Sequence, residues 1–202
     1  EYTINFKEIT YGEIIEFDTV SLKVINNNHT DGSCGYVITK NSNALLFTSD
    51  TYICDEIWNE VNNNTLIKSV IIDVSFPSRF ETLAQQSKHL TPKLLKEESE
   101  KLKRDDVVIF VNHIKPLYLT EIKKELKEFN LIQNDDCILK DSDTLNLKTL
   151  KVLHSFDTER KQVKYLNKIG HDLTREKNFN VLMDKILEAA KEMTNADAGT
   201  IY

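Results

Sequence analysis

Long apolar runs are missing from this sequence. The longest pure apolar stretches are about five residues, such as VVIFV from Val107, whereas a membrane-spanning helix needs roughly 20. The opening segment, EYTINFKEIT, is charged and alternating and so makes no signal peptide. Glycine and proline are scarce, with five Gly and three Pro in 202 residues, which excludes a disordered or loop-dominated chain. Three cysteines, Cys34, Cys54 and Cys137, are odd in number, widely spaced and free of any CxxC pair. That usage fits reduced thiols in a cytoplasm better than a disulfide framework. Arginine is also scarce, 4 residues against 22 lysines, and the net charge is −6. A globally basic nucleic-acid surface is therefore not indicated, although a local patch stays open. There is no internal repeat, low-complexity tract or Gly-rich phosphate loop.

What is there is a globular mixture, 40% hydrophobic and 29% charged, long enough for one domain plus an appendage or for two small domains. INFKEIT and EIIEFDTVSLKVI alternate with period two and read as strands. CGYVITKNSNALLFTSD reads as two strands around an Asn-Ser-Asn turn. CDEIWNEVNN reads as a short helix, and IKSVIIDVSF as a strand buried on both faces. In HLTPKLLKEESEKL, Thr91 can N-cap a helix whose first position is Pro92. VVIFVNHI is a second buried strand, LYLTEIKKELKEFNL an amphipathic helix, and CILKDSDTLNL a closing strand or hairpin. The order predicts an α/β layered fold with a mixed sheet. The triplets Asn26-Asn27-Asn28 and Asn62-Asn63-Asn64 read as turns. Glu97, Glu98 and Glu100, with Lys96, Lys101 and Lys103, read as a solvated helix face, and Cys34 as a small buried side chain.

Three residues carry the chemistry. His29 follows an alternating strand, Asp50 ends LLFTSD, and His113 ends VVIFVNH. All three lie just past apolar strands, where side chains from separate strands can converge on one rim. Imidazole and carboxylate are ligand types for zinc, manganese or iron, and divalent metals activate water near neutral pH. Each signal alone also fits an ordinary rim histidine or a turn aspartate.

The segments NNHTDGSCGYVI, LLFTSDT, IIDVSFPSRFETLAQQSKHLTPKLL and VVIFVNHIKP together resemble the metallo-β-lactamase fold. Within it they resemble the class II cyclic-nucleotide phosphodiesterase branch and the related ribonuclease Z branch. The resemblance covers residues 1–147 and implies part of an αββα sandwich. It matches His29, Asp50 and His113 to metal-ligand positions for two divalent ions, zinc first, with manganese or iron as alternatives. It makes His89, in the run SKHLTP, a catalytic residue that contacts the phosphate or protonates the leaving oxygen; an imidazole with a pKa near 6.5 suits either role. It makes Asp73 an acidic partner that orients His89. His89 as a helix cap and Asp73 as a plain strand-end charge are the alternatives. The family's HxHxDH motif is absent, so the chain is expected to be a fragment with little activity by itself.

From residue 148 the pattern turns helical. Val163, Leu166, Ile169 and Leu173 form one stripe of a linker over 148–174. Phe179, Leu182, Met183, Ile186, Leu187, Ala190 and Met193 form another. YLNKIGHDLTREKNFNVLMDKILEAAKEMTNADAGTIY resembles the opening of a GAF domain, placed at 175–202, which implies a regulatory module and a homodimer joined through these C-terminal helices. His154 and His171 are expected to face solvent. The resulting expectation is a cytoplasmic phosphodiesterase of 3′,5′-cyclic nucleotides coupled to a GAF module, with nucleic acid disfavoured as a partner. The alternatives are a ribonuclease Z-like nuclease and a non-enzymatic signalling protein that only binds a ligand.

Overall fold

The computed structural model describes residues 7–140, 143–146, 148–153 and 181. The chain divides into two units, Glu1–Leu153 and His154–Tyr202, and the first carries everything described below. Both tail stripes and the GAF-like strand lie outside the described residues.

Six strands form one sheet in sequential order. They are β1 (Ile14–Phe17), β2 (Val20–Asn26), β3 (Cys34–Lys40), β4 (Asn43–Phe47), β5 (Ile67–Asp73) and β6 (Val108–Asn112). The first four make an antiparallel meander, and β4–β5 and β5–β6 pair in parallel. The alternating run EIIEFDTVSLKVI is thus a hairpin. It turns at Asp18, with φ 48°, as β3–β4 turns at Asn41, with φ 56°; short polar side chains tolerate that left-handed region best. Described residues 7–10 of INFKEIT form no strand.

Helices α1 (Asp55–Asn63), α2 (Glu81–Ser87), α3 (Pro92–Ser99) and α4 (Leu119–Glu128) lie in the β4–β5 and β5–β6 crossovers and after β6. Ile57, Trp58 and Val61 of α1, Leu94 and Leu95 of α3, and Ile122 and Leu126 of α4 recur at helical spacing. They pack in one core with Ile25, Val37, Leu46, Val70, Ile72 and Val111 of the sheet. Thr91 accepts the Leu94 backbone N–H at its side chain and Pro92 occupies the first helical position. Thr91, rather than His89, is therefore the cap of α3. A two-stranded pair, β7 (Thr144–Asn146) with β8 (Lys151–Leu153), follows, and Ile138 bridges to Val111.

Several sequence expectations need correction. Cys34, at the start of β3, is half-buried rather than buried, and Asn26 ends β2 rather than turning. Asn62 and Asn63 belong to α1, with Asn64 as its C-cap, because Val61 anchors that last turn in the core. Glu98 is not on a solvated face. It is 4% exposed and accepts the Trp58 indole N–H at 3.0 Å and the Cys54 backbone N–H at 3.2 Å. Those buried donors, with Lys101 Nζ at 2.6 Å, make the inward position tenable for a carboxylate.

The fold positions the site through strand direction. β2, β4, β5 and β6 all run the same way, so their C-terminal ends share one edge of the sheet. That edge is where ligands collect in parallel α/β sheets.

Candidate metal centre

All the candidate residues but His89 sit at or just past the end of their own strand at that edge. Asp73 is the last residue of β5, paired with Asn112 at the end of β6, and His113 follows directly. Asp50 lies three residues beyond β4, and His29 three beyond β2. His89 sits between α2 and α3, after Lys88. Ser49 (φ 54°), Lys88 (φ 53°) and His113 (φ 60°) all adopt the left-handed region. Each such residue costs about 1 kcal/mol or more, and three of them flank one cluster.

Asp50, Asp73, His89 and His113 each offer a ligand atom, all within 4.8 Å of one another. Asp73 lies at the centre, fully buried. One of its carboxylate oxygens accepts His89 Nδ1–H at 2.6 Å and the Thr51 backbone N–H at 3.2 Å. The other accepts the Ser75 hydroxyl at 2.7 Å and lies 3.5 Å from His113 Nδ1. His113 Nδ1 is closer still to Asp50, at 2.8 Å, while Lys115 Nζ stands 3.1 Å from its Nε2. Burial pushes the Asp73 carboxyl up, but the bonds from His113, His89 and Ser75 outweigh it and hold the group below the ordinary carboxylate range. His113 moves the other way. Asp73 raises it most, burial opposes, and Asp50 adds to the rise.

His29 stands beside the four-donor set rather than in it. Its Nδ1 donates to the Lys88 carbonyl at 3.0 Å, and its ring centroid is 5.0 Å from that of His89, which is in turn 5.2 Å from that of His113. The three imidazoles therefore form one contiguous row on a single rim. The carbonyl that holds His29 belongs to the left-handed C-cap of α2, a helix not singled out in the sequence.

Two supporting residues escaped the sequence reading. Ser75 lies buried within 3.3 Å of both His89 Nδ1 and His113 Nδ1; its signal is its place two residues after Asp73. Asn27, read as a turn, is buried. Its amide N–H groups donate to the Thr48 and Asp50 carbonyls, each at 3.0 Å, and its amide oxygen accepts the Ser33 hydroxyl at 2.7 Å. It ties the loop after β2 to the turn that carries Asp50.

Two carboxylates and two imidazoles converging on a partly open rim form a donor set suited to zinc, manganese or iron. The residues fit a divalent cation. Asp73 already uses both oxygens in hydrogen bonds, which suits it to orienting the histidines.

No family model matches the sequence, and no curated protein matches it. Solved structures do. The fold is similar to that of the metallo-β-lactamase fold protein YhfI from Bacillus subtilis. The TM-score is 0.51 and the identity 13%, covering 65% of this chain and 52% of that one. The chain thus spans about half the length of that relative. More distant matches are Igni18, a metallo hydrolase from the archaeon Ignicoccus hospitalis, and the short form of human tRNase Z. Igni18 has a TM-score of 0.45 and 12% identity over 74% of this chain and 60% of that one. The tRNase Z has a TM-score of 0.40 and 13% identity over 52% and 40%. The six-stranded sheet and its helical layer are part of a metallo-β-lactamase-like α/β sandwich.

Proposed function

We propose that this chain is part of a metal-dependent phosphodiesterase acting on 3′,5′-cyclic nucleotides. The observation that carries the reading is the convergence of Asp50, Asp73, His89 and His113 at the ends of three parallel strands and one helix cap. Asp50 and His113 hold divalent metal, with His29 completing the set alongside an HxHxDH motif from an upstream segment. Two zinc ions are the first expectation. Bound cations supply the charge that neutralises a phosphodiester and activates water.

The chain's own residues do the rest. Asp73 accepts the His89 Nδ1–H and so keeps that proton on Nδ1, which leaves Nε2 to meet the substrate. When His89 is protonated, Nε2–H bonds a phosphate oxygen or passes its proton to the leaving ribose oxygen. Asp73 stabilises the imidazolium while it lasts. Residues 148–174 would link this domain to a GAF module that begins at 175, and the tail stripes would join two copies.

The test is hydrolysis of cyclic AMP and cyclic GMP by the protein with its upstream segment, alongside metal analysis. Wild type is expected to hydrolyse at least one, and His89→Ala to lose about 10²–10⁴-fold in turnover with metal content unchanged. Cleavage of a tRNA precursor without cyclic-nucleotide hydrolysis would transfer the site to the nuclease reading. Metal binding with neither activity would transfer it to a ligand-binding role.

A further inference from the structure

Lys115 brings an ammonium group to the rim from the far side of His113. Its Nζ lies 3.1 Å from His113 Nε2, while Asp50 meets the other ring nitrogen, Nδ1, at 2.8 Å. Among the described residues no carboxylate pairs with Lys115, whereas Lys68, Lys93, Lys101, Lys123 and Lys127 each hold one. An ammonium has three donors and no acceptor. The contact therefore uses the lone pair of Nε2, and the ring proton stays on Nδ1, where Asp50, Ser75 and Asp73 all offer acceptors. The Lys115 backbone is held on both sides. Its N–H donates to the Ser75 carbonyl at 3.4 Å, and its carbonyl accepts the Tyr118 N–H at 2.8 Å. Its side chain is half-buried and turns on a flexible four-carbon stem.

We infer that Lys115 and a divalent metal compete for His113, and that metal binding turns Lys115 to the anionic substrate. The competition follows from the imidazole itself. A neutral ring has one lone pair and one N–H, and ligation to metal uses that lone pair on whichever nitrogen is bound. Ligation through Nε2 displaces Lys115 directly. Ligation through Nδ1 leaves the ring proton on Nε2, where it meets the ammonium donor to donor. Either way Lys115 loses its acceptor. A half-buried ammonium without a carboxylate then gains most from a charged acceptor, and a phosphate oxygen is one. Asp50 and Asp73 bring two negative charges to the same rim, so a phosphate arriving there gains in turn from a cation that the chain itself supplies. Lys115 is thereby a substrate-binding residue whose availability depends on metal.

This inference rests on the reading of Asp50 and His113 as metal ligands, and not on which phosphodiester is cleaved. The probes are zinc and inorganic phosphate. Zinc is titrated into the protein against a chromophoric chelator, and phosphate is then titrated into the zinc-loaded, desalted protein by calorimetry. Lys115→Met keeps an unbranched stem and removes the charge. It is expected to tighten zinc about tenfold, because the competitor is gone, and to weaken phosphate about tenfold or more. Lys115→Arg keeps the charge and is expected to bind phosphate within about threefold of wild type. Lys124→Met, at an exposed lysine of α4, is expected to move neither affinity. Misfolding weakens both, so the opposed shifts are the signature of the switch. Zinc affinity in Lys115→Met equal to or weaker than wild type would overturn the inference, as would unchanged phosphate affinity. No zinc held by wild type or by Lys115→Met would overturn it together with the metal reading. The opposed shifts without cyclic-nucleotide hydrolysis would sink the phosphodiesterase reading and leave Lys115 in its role. Hydrolysis without those shifts would do the reverse.

Discussion

Asp50 depends on a residue that looks trivial in the sequence. Asn27 is the middle of three asparagines, yet its buried amide donates to two carbonyls of the turn holding Asp50. Asn27→Ala leaves those carbonyls and the Ser33 hydroxyl without their partner. A loss of about 1–3 kcal/mol in urea unfolding is expected, together with weaker metal binding than any reduction in folded fraction explains. Asp50 and His113 stood out in the sequence by their places past apolar strands and by the resemblance, and strand direction brings such ends together, whereas His29, picked out on the same ground, stands beside the four-donor set. Asn27 and Ser75 did not stand out, because asparagine and serine at a strand end fit any turn until the third dimension gives them acceptors. The cysteines give a second test at this scale. Burial, with a smaller push from Glu56, raises the Cys54 thiol to about 11. The folded state therefore prefers the neutral thiol more than the unfolded state does. The contribution is intact below the unfolded value near 9 and is lost as pH climbs from about 9 to 11. In the native protein a thiol reagent is expected to modify half-buried Cys34 first and to reach buried Cys54 and Cys137 only on unfolding. Equal rates for all three would contradict this packing.

Helix α3 shows where periodicity succeeds and where it stops. Its start was readable from Thr91-Pro92, because an N-cap and a proline at the first position are local chemistry. Its inward face was misread at Glu98, because charge says nothing about which partners are waiting. Here they are the Trp58 indole and the Cys54 amide of α1, so a carboxylate does the work of joining two helices. Glu98→Ala should cost about 3 kcal/mol or more, since two buried donors and Lys101 lose their acceptor together. Thermal melts followed by the fluorescence of Trp58, the single tryptophan, measure this directly. A shift no larger than that of a surface Lys96→Ala control would return Glu98 to the solvated face. Helix α2 went unnoticed for a different reason. At seven residues it is too short to show a full apolar stripe, yet its left-handed cap at Lys88 holds His29.

At the scale of the molecule, one geometric fact governs the account: β2, β4, β5 and β6 deliver their C-terminal ends to a single edge. The antiparallel meander gives way to parallel pairing at β4–β5, which keeps Asp50, Asp73 and His113 on the same side and sends the connecting helices back over the sheet. Parallel pairing was implied in the sequence by the continuous apolar runs of β5 and β6, which read as strands buried on both faces. The turn within EIIEFDTVSLKVI was not, because alternation continues across it. Three left-handed residues around one rim then concentrate backbone strain where the donors meet. The central claim is that this rim holds divalent metal through Asp50 and His113. The most direct measurement is metal content by mass spectrometry. The protein is stripped with chelator, reloaded with zinc and desalted, and wild type is compared with Asp50→Ala and His113→Ala variants that keep wild-type circular dichroism. The account predicts at least one tightly held equivalent in wild type and its loss in both variants. Undiminished zinc in either folded variant, or none in wild type, would contradict it.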